Sequence, residues 1–187
     1  MDRVISKTKY DRNDHKKYYR FHMIYRSKTL YFFIAIMIFF LVMTITNTLK
    51  NSLDIEKLIF SWMLTAFTLM LVPLMIIFQI NNIVKRESRE RLDSIDIITV
   101  TKAKIEKNSS HMEGKVVIGW KQVEAIYETK EFIYIYTGPQ QGIFIKKEDI
   151  VEGDIELFRK LAQSNMTPNR RGKVKYKIRY REDKDEK

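Results

Sequence analysis

Two long apolar runs dominate the first half of the chain, at Thr29–Leu49 and Leu58–Val84, and neither contains a charged residue. About 20 apolar residues in a helix are enough to cross the hydrocarbon core of a bilayer. We therefore predict transmembrane helices at 29–49 and 58–82, joined by an external loop at 50–57. The second run is longer than needed, so we expect tilt or an interfacial end around Gln79–Asn82.

The distribution of basic residues predicts the orientation of this hairpin. Nine Lys and Arg residues precede the first run and four follow the second within Lys85–Arg91, whereas the loop holds only Lys50 and Lys57, offset by Asp54 and Glu56. Because positive residues stay on the cytoplasmic side, we expect a multi-pass protein with both termini cytoplasmic. The chain has a net charge of +11. It has no cysteine, and this absence agrees with a reducing interior.

Residues 1–28 form a basic, aromatic N-terminal arm on the cytosolic side. The pattern predicts a short strand at Arg3–Tyr10 and a helix through about Lys16–Arg26, capped by Asp11, Asn13 or Asp14. Such a helix either lies at the lipid headgroups or packs on the cytosolic domain. For the first case, the residues we expect at the membrane surface are Lys16, Lys17, Arg20, Arg26, Lys28, Lys85 and Arg86.

After the second run the pattern changes to one of strands, which defines a cytosolic domain at 92–165. Strands are predicted at Ser94–Lys107, Lys115–Trp120, Val123–Glu128, Phe132–Thr137 and Gly142–Lys147. Gly153–Asn165 has the apolar stripe of an amphipathic helix, with Asp154 as its N-cap. We therefore predict an α+β domain, either an antiparallel sheet or a PH-like partial barrel, closed by a C-terminal helix. The strand Phe132–Thr137 is apolar on both faces, so we expect both to be covered.

The basic tail, 166–187, alternates apolar and cationic residues from Lys173 to Arg181. This period of two favours a strand that adds to a sheet edge, but a mobile tail held by anionic lipid is equally compatible with it. Tyr134, Tyr136, Tyr176 and Tyr180 are candidates for a surface that binds a partner. Nucleic acid is not an expected partner, because the tail is tethered beneath a membrane.

The segment from Gly119 to Gln163 resembles the C-terminal domain of YcxB-like bacterial membrane proteins. The similarity lies in Trp120, Glu128–Thr129–Lys130, the aromatic strand, the strand Ile143–Lys147 and the closing helix. Upstream, the arm and the hydrophobic hairpin also resemble the family, although Ile145 stands where the family tends to have a proline. The resemblance implies a bacterial cytoplasmic membrane location and a small PH-like domain. It implies no established activity and no catalytic residues.

The sequence lacks the short motifs of common enzymes, including G-x-S-x-G, the P-loop, G-x-G-x-x-G and H-E-x-x-H. We expect no catalysis, no cofactor and no metal site. The prediction is a membrane-anchored, non-enzymatic interaction or regulatory module whose partners are membrane lipid, an unknown protein or a second copy of the chain. The alternatives are a component of a transport or channel assembly, using hydroxyls such as Thr44 and Thr65, or an anionic-lipid sensor.

Overall fold

The computed structural model describes residues 2–50, 54–168 and 172–180, and the chain divides into two compact units. The domain unit joins Met1–Asp14 to Ser88–Lys187, and the helical unit is His15–Glu87. The N-terminal arm defined from the sequence, 1–28, is thus divided between the two units. Its first part belongs with the C-terminal half because it supplies a strand to a sheet there.

Among the described residues, the helical unit contains all of α2 (Lys28–Lys50) and most of α1 (Arg12–Tyr25) and α3 (Ile55–Glu90). Helix α1 begins earlier than its sequence pattern suggested, directly after Asp11, whose carboxylate accepts the N–H of Asn13. Both apolar runs lie within single helices, and α3, with 36 residues, is about 54 Å long. Of the loop predicted at 50–57, residues 51–53 lie outside the described residues.

Helices α2 and α3 are long and apolar enough to cross a membrane. They pack antiparallel, since Thr44 contacts Ser61 and Thr65 on α3 while Thr48 contacts Trp62. Their outer surfaces carry large exposed apolar side chains throughout, for example Phe39, Phe60 and Phe78 at 64%, 70% and 67% exposure. A surface of this kind fits a lipid environment better than water.

The first sheet of the domain unit has the strand order β4-β3-β2-β1-β8. Its strands are β1 (Arg3–Lys9), β2 (Ile95–Thr101), β3 (Lys104–Ser109), β4 (Lys115–Gly119) and β8 (Ile150–Glu152). The predicted N-terminal strand exists as β1, and it lies between β2 and β8, antiparallel to both. The domain is therefore discontinuous in sequence, which the spacing of the motifs did not indicate.

The prediction of a single strand over Ser94–Lys107 is wrong. This segment contains β2, the first part of β3 and the turn between them. Strand β2 ends at Thr101 and β3 begins at Lys104. The Thr101 hydroxyl accepts the N–H of Lys104 and donates to its carbonyl, which closes the two-residue turn. A side-chain turn of this type needs neither Gly nor Pro, so the usual sequence signals for a break are missing.

The second sheet has the order β7-β6-β5-β9. Its strands are β5 (Ala125–Glu128), β6 (Phe132–Tyr136), β7 (Gly142–Lys146) and β9 (Tyr176–Ile178). All five residues of β6 are buried, as its two apolar faces predicted. Strand β9 runs parallel to β5, and the other described pairings in both sheets are antiparallel.

The closing helix is α4 (Ile155–Asn165), and the Asp154 carboxylate caps it by accepting the N–H of Leu157. Just before it, Gly153 has a φ of +78°, and a Cβ at this position would lie 2.7 Å from the carbonyl oxygen of Arg3. This glycine lets the chain turn into α4 while lying against β1. Phe158, Leu161 and Ala162 face the core that both sheets share, which also contains Val4 and Ile133. The described strands form two separate sheets and no closed barrel.

Candidate functional site: a buried carboxylate beneath the C-terminal tail

Glu128, at the end of β5, has a fully buried side chain, and among the described residues of the domain unit it is the charged group with the most side-chain bonds. Lys147 Nζ lies 2.7 Å from its Oε1, and Arg159 of α4 forms a fork with Nη2 2.7 Å from Oε1 and Nε 2.9 Å from Oε2. The hydroxyls of Tyr176 and Tyr180 donate to Oε2 and Oε1 at 2.5 and 2.8 Å. We call these five residues the Glu128 cluster.

The alternation of β5 explains why a carboxylate is buried at this position. Ile126 and Glu128 are two residues apart, so their side chains lie on the same face of the sheet. Ile126 belongs to the hydrophobic core and is fully buried. Glu128 therefore points inward as well, and it is stabilised there because cations from a neighbouring turn and from α4 meet it.

The tail completes the cluster through backbone pairing with β5. The N–H of Ile126 donates to the carbonyl of Lys175 at 2.9 Å, and the N–H of Arg179 donates to the carbonyl of Glu128 at 2.8 Å. Val174 and Tyr176 pack against the core, whereas Ile178 remains 47% exposed. Lys147 also lies 4.4 Å from the centre of the Tyr180 ring, a cation–π contact. Of the two alternatives considered for the tail, the strand at a sheet edge is the one observed, over Tyr176–Ile178.

The bonding of Glu128 fixes its charge. Burial alone would raise the pKa of this carboxyl, but hydrogen bonds from Arg159, Lys147, Tyr176 and Tyr180 outweigh it and lower the pKa to about 2. The pKa of the Tyr176 phenol is raised, because burial and the bond to Glu128 both favour its neutral form. A carboxylate with a pKa this low is ionised at neutral pH.

A second charged cluster surrounds Asp96 on β2. Lys107 and Arg91 lie 2.7 and 3.3 Å from its Oδ2, and the hydroxyl of Ser109 donates to Oδ1. Burial would raise the pKa of Asp96, but its cationic and hydroxyl neighbours outweigh burial and lower it. Ser109 also contacts His111 Nδ1 at 2.6 Å. Because Asp96 bonds the serine instead of the histidine, the arrangement differs from a nucleophile–base–acid relay. Among the described residues, no group of His, Asp and Glu is placed to hold a metal ion.

Comparison with known proteins identifies part of this unit. Residues 100–162 match the family model described as YcxB-like protein. The chain carries a YcxB-like domain. No curated protein and no solved structure matches the chain. The resemblance stated from the sequence extended over the arm and the hairpin as well, but the family model covers neither.

The boundaries of the YcxB-like domain are informative for the Glu128 cluster. Residues 100–162 include Glu128, Lys147 and Arg159, but they exclude the tail tyrosines and strand β1. The cluster is therefore part YcxB-like domain and part flanking sequence. Of the described strands, β1, most of β2 and β9 lie outside the matched residues; β1 and β2 belong to the first sheet and β9 to the second.

The four tyrosines predicted as a partner surface separate into two pairs. Tyr134 and Tyr136 are buried, at 3% and 0% exposure, so these side chains present almost no surface. Tyr176 and Tyr180 come together on Glu128 and are half-buried. The sheet alternation predicted an apolar face for this tail, but it did not indicate that its hydroxyls would bind a carboxylate.

The seven basic residues predicted at a membrane surface all lie in the helical unit. They occupy α1, the start of α2, the cytosolic end predicted for α3 and the turn between α1 and α2: Lys16, Lys17, Arg20, Arg26, Lys28, Lys85 and Arg86. Since α2 and α3 are antiparallel, Lys28 and Lys85 belong to the same end of the hairpin. The basic residues therefore share one unit with the apolar surfaces, and their place at a membrane surface stays a prediction.

Sequence reasoning missed Lys147 and Arg159 as members of a site, and it noted Glu128 only as part of a family resemblance. A signal was present in the strand Val123–Glu128. Alternation from the apolar residue Ile126 places Glu128 on the inner face, and a buried carboxylate needs cationic partners. The pattern could not identify those partners, because Arg159 is 31 residues away in sequence.

The hairpin contains a polar cluster of its own between α2 and α3. Thr44 Oγ1 lies 2.8 Å from Ser61 Oγ and 2.7 Å from Thr65 Oγ1, and both threonines are 2% exposed. Among the described residues, an open cavity of about 360 Å³ lies beside Thr44. Another, of about 540 Å³, lies in the domain unit. By contrast, Thr46 and Thr68 donate to the carbonyls four residues earlier in their own helices.

Proposed function

We propose that this chain is a membrane-anchored, non-enzymatic interaction module that presents its YcxB-like domain at the cytoplasmic face of a bacterial membrane. The observation that carries the proposal is the contrast between the two units. The helical unit exposes apolar side chains along two long helices, whereas the buried charges of the domain unit are engaged in holding strands together. An anchor joined to a stable recognition domain fits a scaffold or a regulator of another membrane protein.

Several features support the orientation. The basic residues of α1 and of the two hairpin ends at Lys28 and Lys85 favour the cytoplasmic side, and both termini then face the cytoplasm. The domain is PH-like in this proposal. Two sheets built mainly of antiparallel meanders, followed by one helix, support that description, although the described strands do not close a barrel.

The state of the buried carboxylates also supports a non-enzymatic role. The pKa of Glu128 is lowered to about 2, and that of Asp96 is lowered as well. General acid–base catalysis at neutral pH is most effective with groups whose pKa lies near the working pH. Both carboxylates are ion-paired anions, which suits a structural role better than a catalytic one.

The proposal is tested by crosslinking the full-length chain in intact cells, solubilising it in mild detergent and identifying what is attached. The control is the same chain carrying Ile133→Asp, which places a charge in the core. We expect this variant to lose the folded domain and to keep both apolar helices. A membrane protein enriched with the parent chain over this control supports the proposal. Repeated recovery as a lone monomer, with nothing enriched over the control, contradicts it.

A second candidate is a subunit of a transport or channel assembly, which the buried hydroxyls favour. Thr44, Ser61 and Thr65 meet between α2 and α3, and the cavity beside them is also lined by Asn47 and Glu56. The chain has no cysteine, so single cysteines at the three hydroxyl positions report directly on water access. Labelling by a water-soluble thiol reagent would favour a pathway, and uniform protection would favour an anchor.

A third candidate, sensing of anionic lipid, is supported by the seven basic residues of the helical unit. Because all seven lie within His15–Glu87, the full chain in nanodiscs is the suitable sample. Anionic lipid should be retained around the protein, and raising the salt concentration should weaken this retention because surface charges are screened. Equal retention of neutral and anionic lipid at low salt would exclude it.

A further inference from the structure

Strand β9 is a short piece of chain bound at the edge of a sheet, and its binding site is built by other parts of the domain. We propose that the edge of β5 accepts β9 from a second copy of this chain, so that neighbouring copies in the membrane exchange their tails. The inference rests on the proposed membrane anchoring, which keeps copies on one surface, and it identifies the partner of this edge as the chain itself.

The contacts of the tail show what the acceptor edge recognises. It offers the N–H of Ile126 and the carbonyl of Glu128 to an extended segment, and it receives two tyrosine hydroxyls on the Glu128 carboxylate. Parallel pairing joins Ile126 with Tyr176 and Glu128 with Ile178. A second copy has the same tail sequence, so it reproduces every one of these contacts, and exchange loses none of them.

The acceptor edge is built independently of the tail. Lys147 follows β7 directly and Arg159 lies on α4, and both hold the Glu128 carboxylate at 2.7 Å. When the tail leaves, Glu128 keeps two cations, so no buried charge is left without a partner. The acceptor site therefore remains charge-paired when it is vacant, and it can bind an incoming strand.

The length of the tail connection permits exchange. Seven residues, 167–173, separate the buried Met166 from Val174, the first tail residue that packs against the core. At about 3.3 Å per residue they span up to roughly 23 Å when extended. Release of the tail breaks its backbone bonds to β5, its two tyrosine bonds to Glu128 and the packing of Val174 and Tyr176 on the core, and the tail of the second copy restores each of these contacts. Confinement of anchored copies to one plane raises their concentration near each other, which favours binding between copies.

The test uses the absence of cysteine from the natural sequence. Glu124 and Lys175 face each other across β5 and the tail, with Nζ 3.5 Å from Oε1, and their side chains are 42% and 39% exposed. One copy carries Glu124→Cys and another carries Lys175→Cys. The two full-length chains are reconstituted together in liposomes and treated with a short bismaleimide. A product joining the two chains forms when the tail of one copy lies on β5 of the other.

We expect this interchain product, and we expect its yield to rise as the ratio of protein to lipid is raised. Placing Tyr176→Phe and Tyr180→Phe in the copy that carries Lys175→Cys should lower the yield, because both hydroxyl donors to Glu128 are removed. As a matched control for random collision, Glu106→Cys replaces Glu124→Cys: Glu106 is also a glutamate, but it lies on β3 of the other sheet.

A chain that carries both Glu124→Cys and Lys175→Cys tests whether the reagent joins these two positions within one copy. If this chain reacts internally while the mixed sample gives no more interchain product than the Glu106 control at the highest density, the exchange is refuted. Loss of the internal product without an interchain one also refutes it, since the edge would then bind something else. Neither result depends on capturing a foreign partner, so the exchange and the proposed function fail separately.

Discussion

Replacement of the buried carboxylate by its neutral isostere, Glu128→Gln, should strongly destabilise the domain unit. The parent carboxylate accepts bonds from Lys147 and Arg159 and from two tyrosine hydroxyls, and it has no exposed surface. Glutamine has the same shape, but it leaves the largely buried Lys147 without this counter-charge and Arg159 with only the exposed carboxylate of Glu156. Removing one partner of a buried ion pair typically costs about 3–5 kcal/mol.

The lowered pKa of Glu128 gives a second figure for the same contacts. A fall from the ordinary value of 4.5 to about 2 corresponds to roughly 3 kcal/mol of stabilisation at neutral pH. Because the pKa is lowered in the folded state, this stabilisation is complete well above pH 4.5 and is lost as the pH falls toward 2. Glu128→Gln should therefore flatten the decrease in stability of the domain unit between pH 5 and pH 2, relative to the parent chain.

The assay is urea unfolding of the full chain in detergent, followed by tryptophan fluorescence. The chain has two tryptophans, so a Trp62→Phe background leaves Trp120, which is 4% exposed in the domain core, as the reporter. Glu156→Gln is the matched control: Glu156 also contacts Arg159, but its side chain is 75% exposed, so we expect a loss below about 1 kcal/mol. Equal, small losses for the two glutamate variants would refute the reasoning.

Three further predictions concern the other structural claims. Gly153→Ala should destabilise the domain by roughly 1–3 kcal/mol in the same assay, because of the positive φ and the close carbonyl of Arg3; an unchanged midpoint would contradict this. Val4→Ala should cost roughly 1–3 kcal/mol if β1 belongs to the core, whereas no change would place the strand outside it. Thr44→Val should weaken the hairpin by about 0.6–2 kcal/mol in detergent unfolding. Thr46→Val, whose hydroxyl bonds within its own helix, should not, and equal effects would argue against the hydroxyl cluster.

The sequence was sufficient for elements whose determinants are local. The apolar runs predicted α2 and α3, the alternation of the N-terminal segment predicted β1, and Asp154 marked the start of α4. In each case the physical signal, which is the length of an apolar run, the period of burial or a capping carboxylate, lies within the element itself. The YcxB-like resemblance located residues 100–162 because its motifs also lie within single strands and within α4.

Features that depend on distant pairings were not predicted. Nothing near β1 indicates that it pairs with β2 more than 80 residues later, and the parallel match of β9 with β5 depends on contacts across about 50 residues. The Glu128 cluster likewise combines a strand, a turn, a helix and a tail. Its members are ordinary when each is considered alone, and their charge and burial become informative only when the fold brings them together.

The central claim, a hairpin anchor with the domain on the cytoplasmic side, is tested most directly by thiol accessibility in intact cells. Single cysteines replace Glu56, near the loop end of α3, and Lys104, on the first sheet; both positions are exposed. A membrane-impermeant maleimide should label Glu56→Cys in intact cells and should label Lys104→Cys only after lysis. Labelling of Lys104→Cys in intact cells, or recovery of the chain in the soluble fraction, would contradict the account.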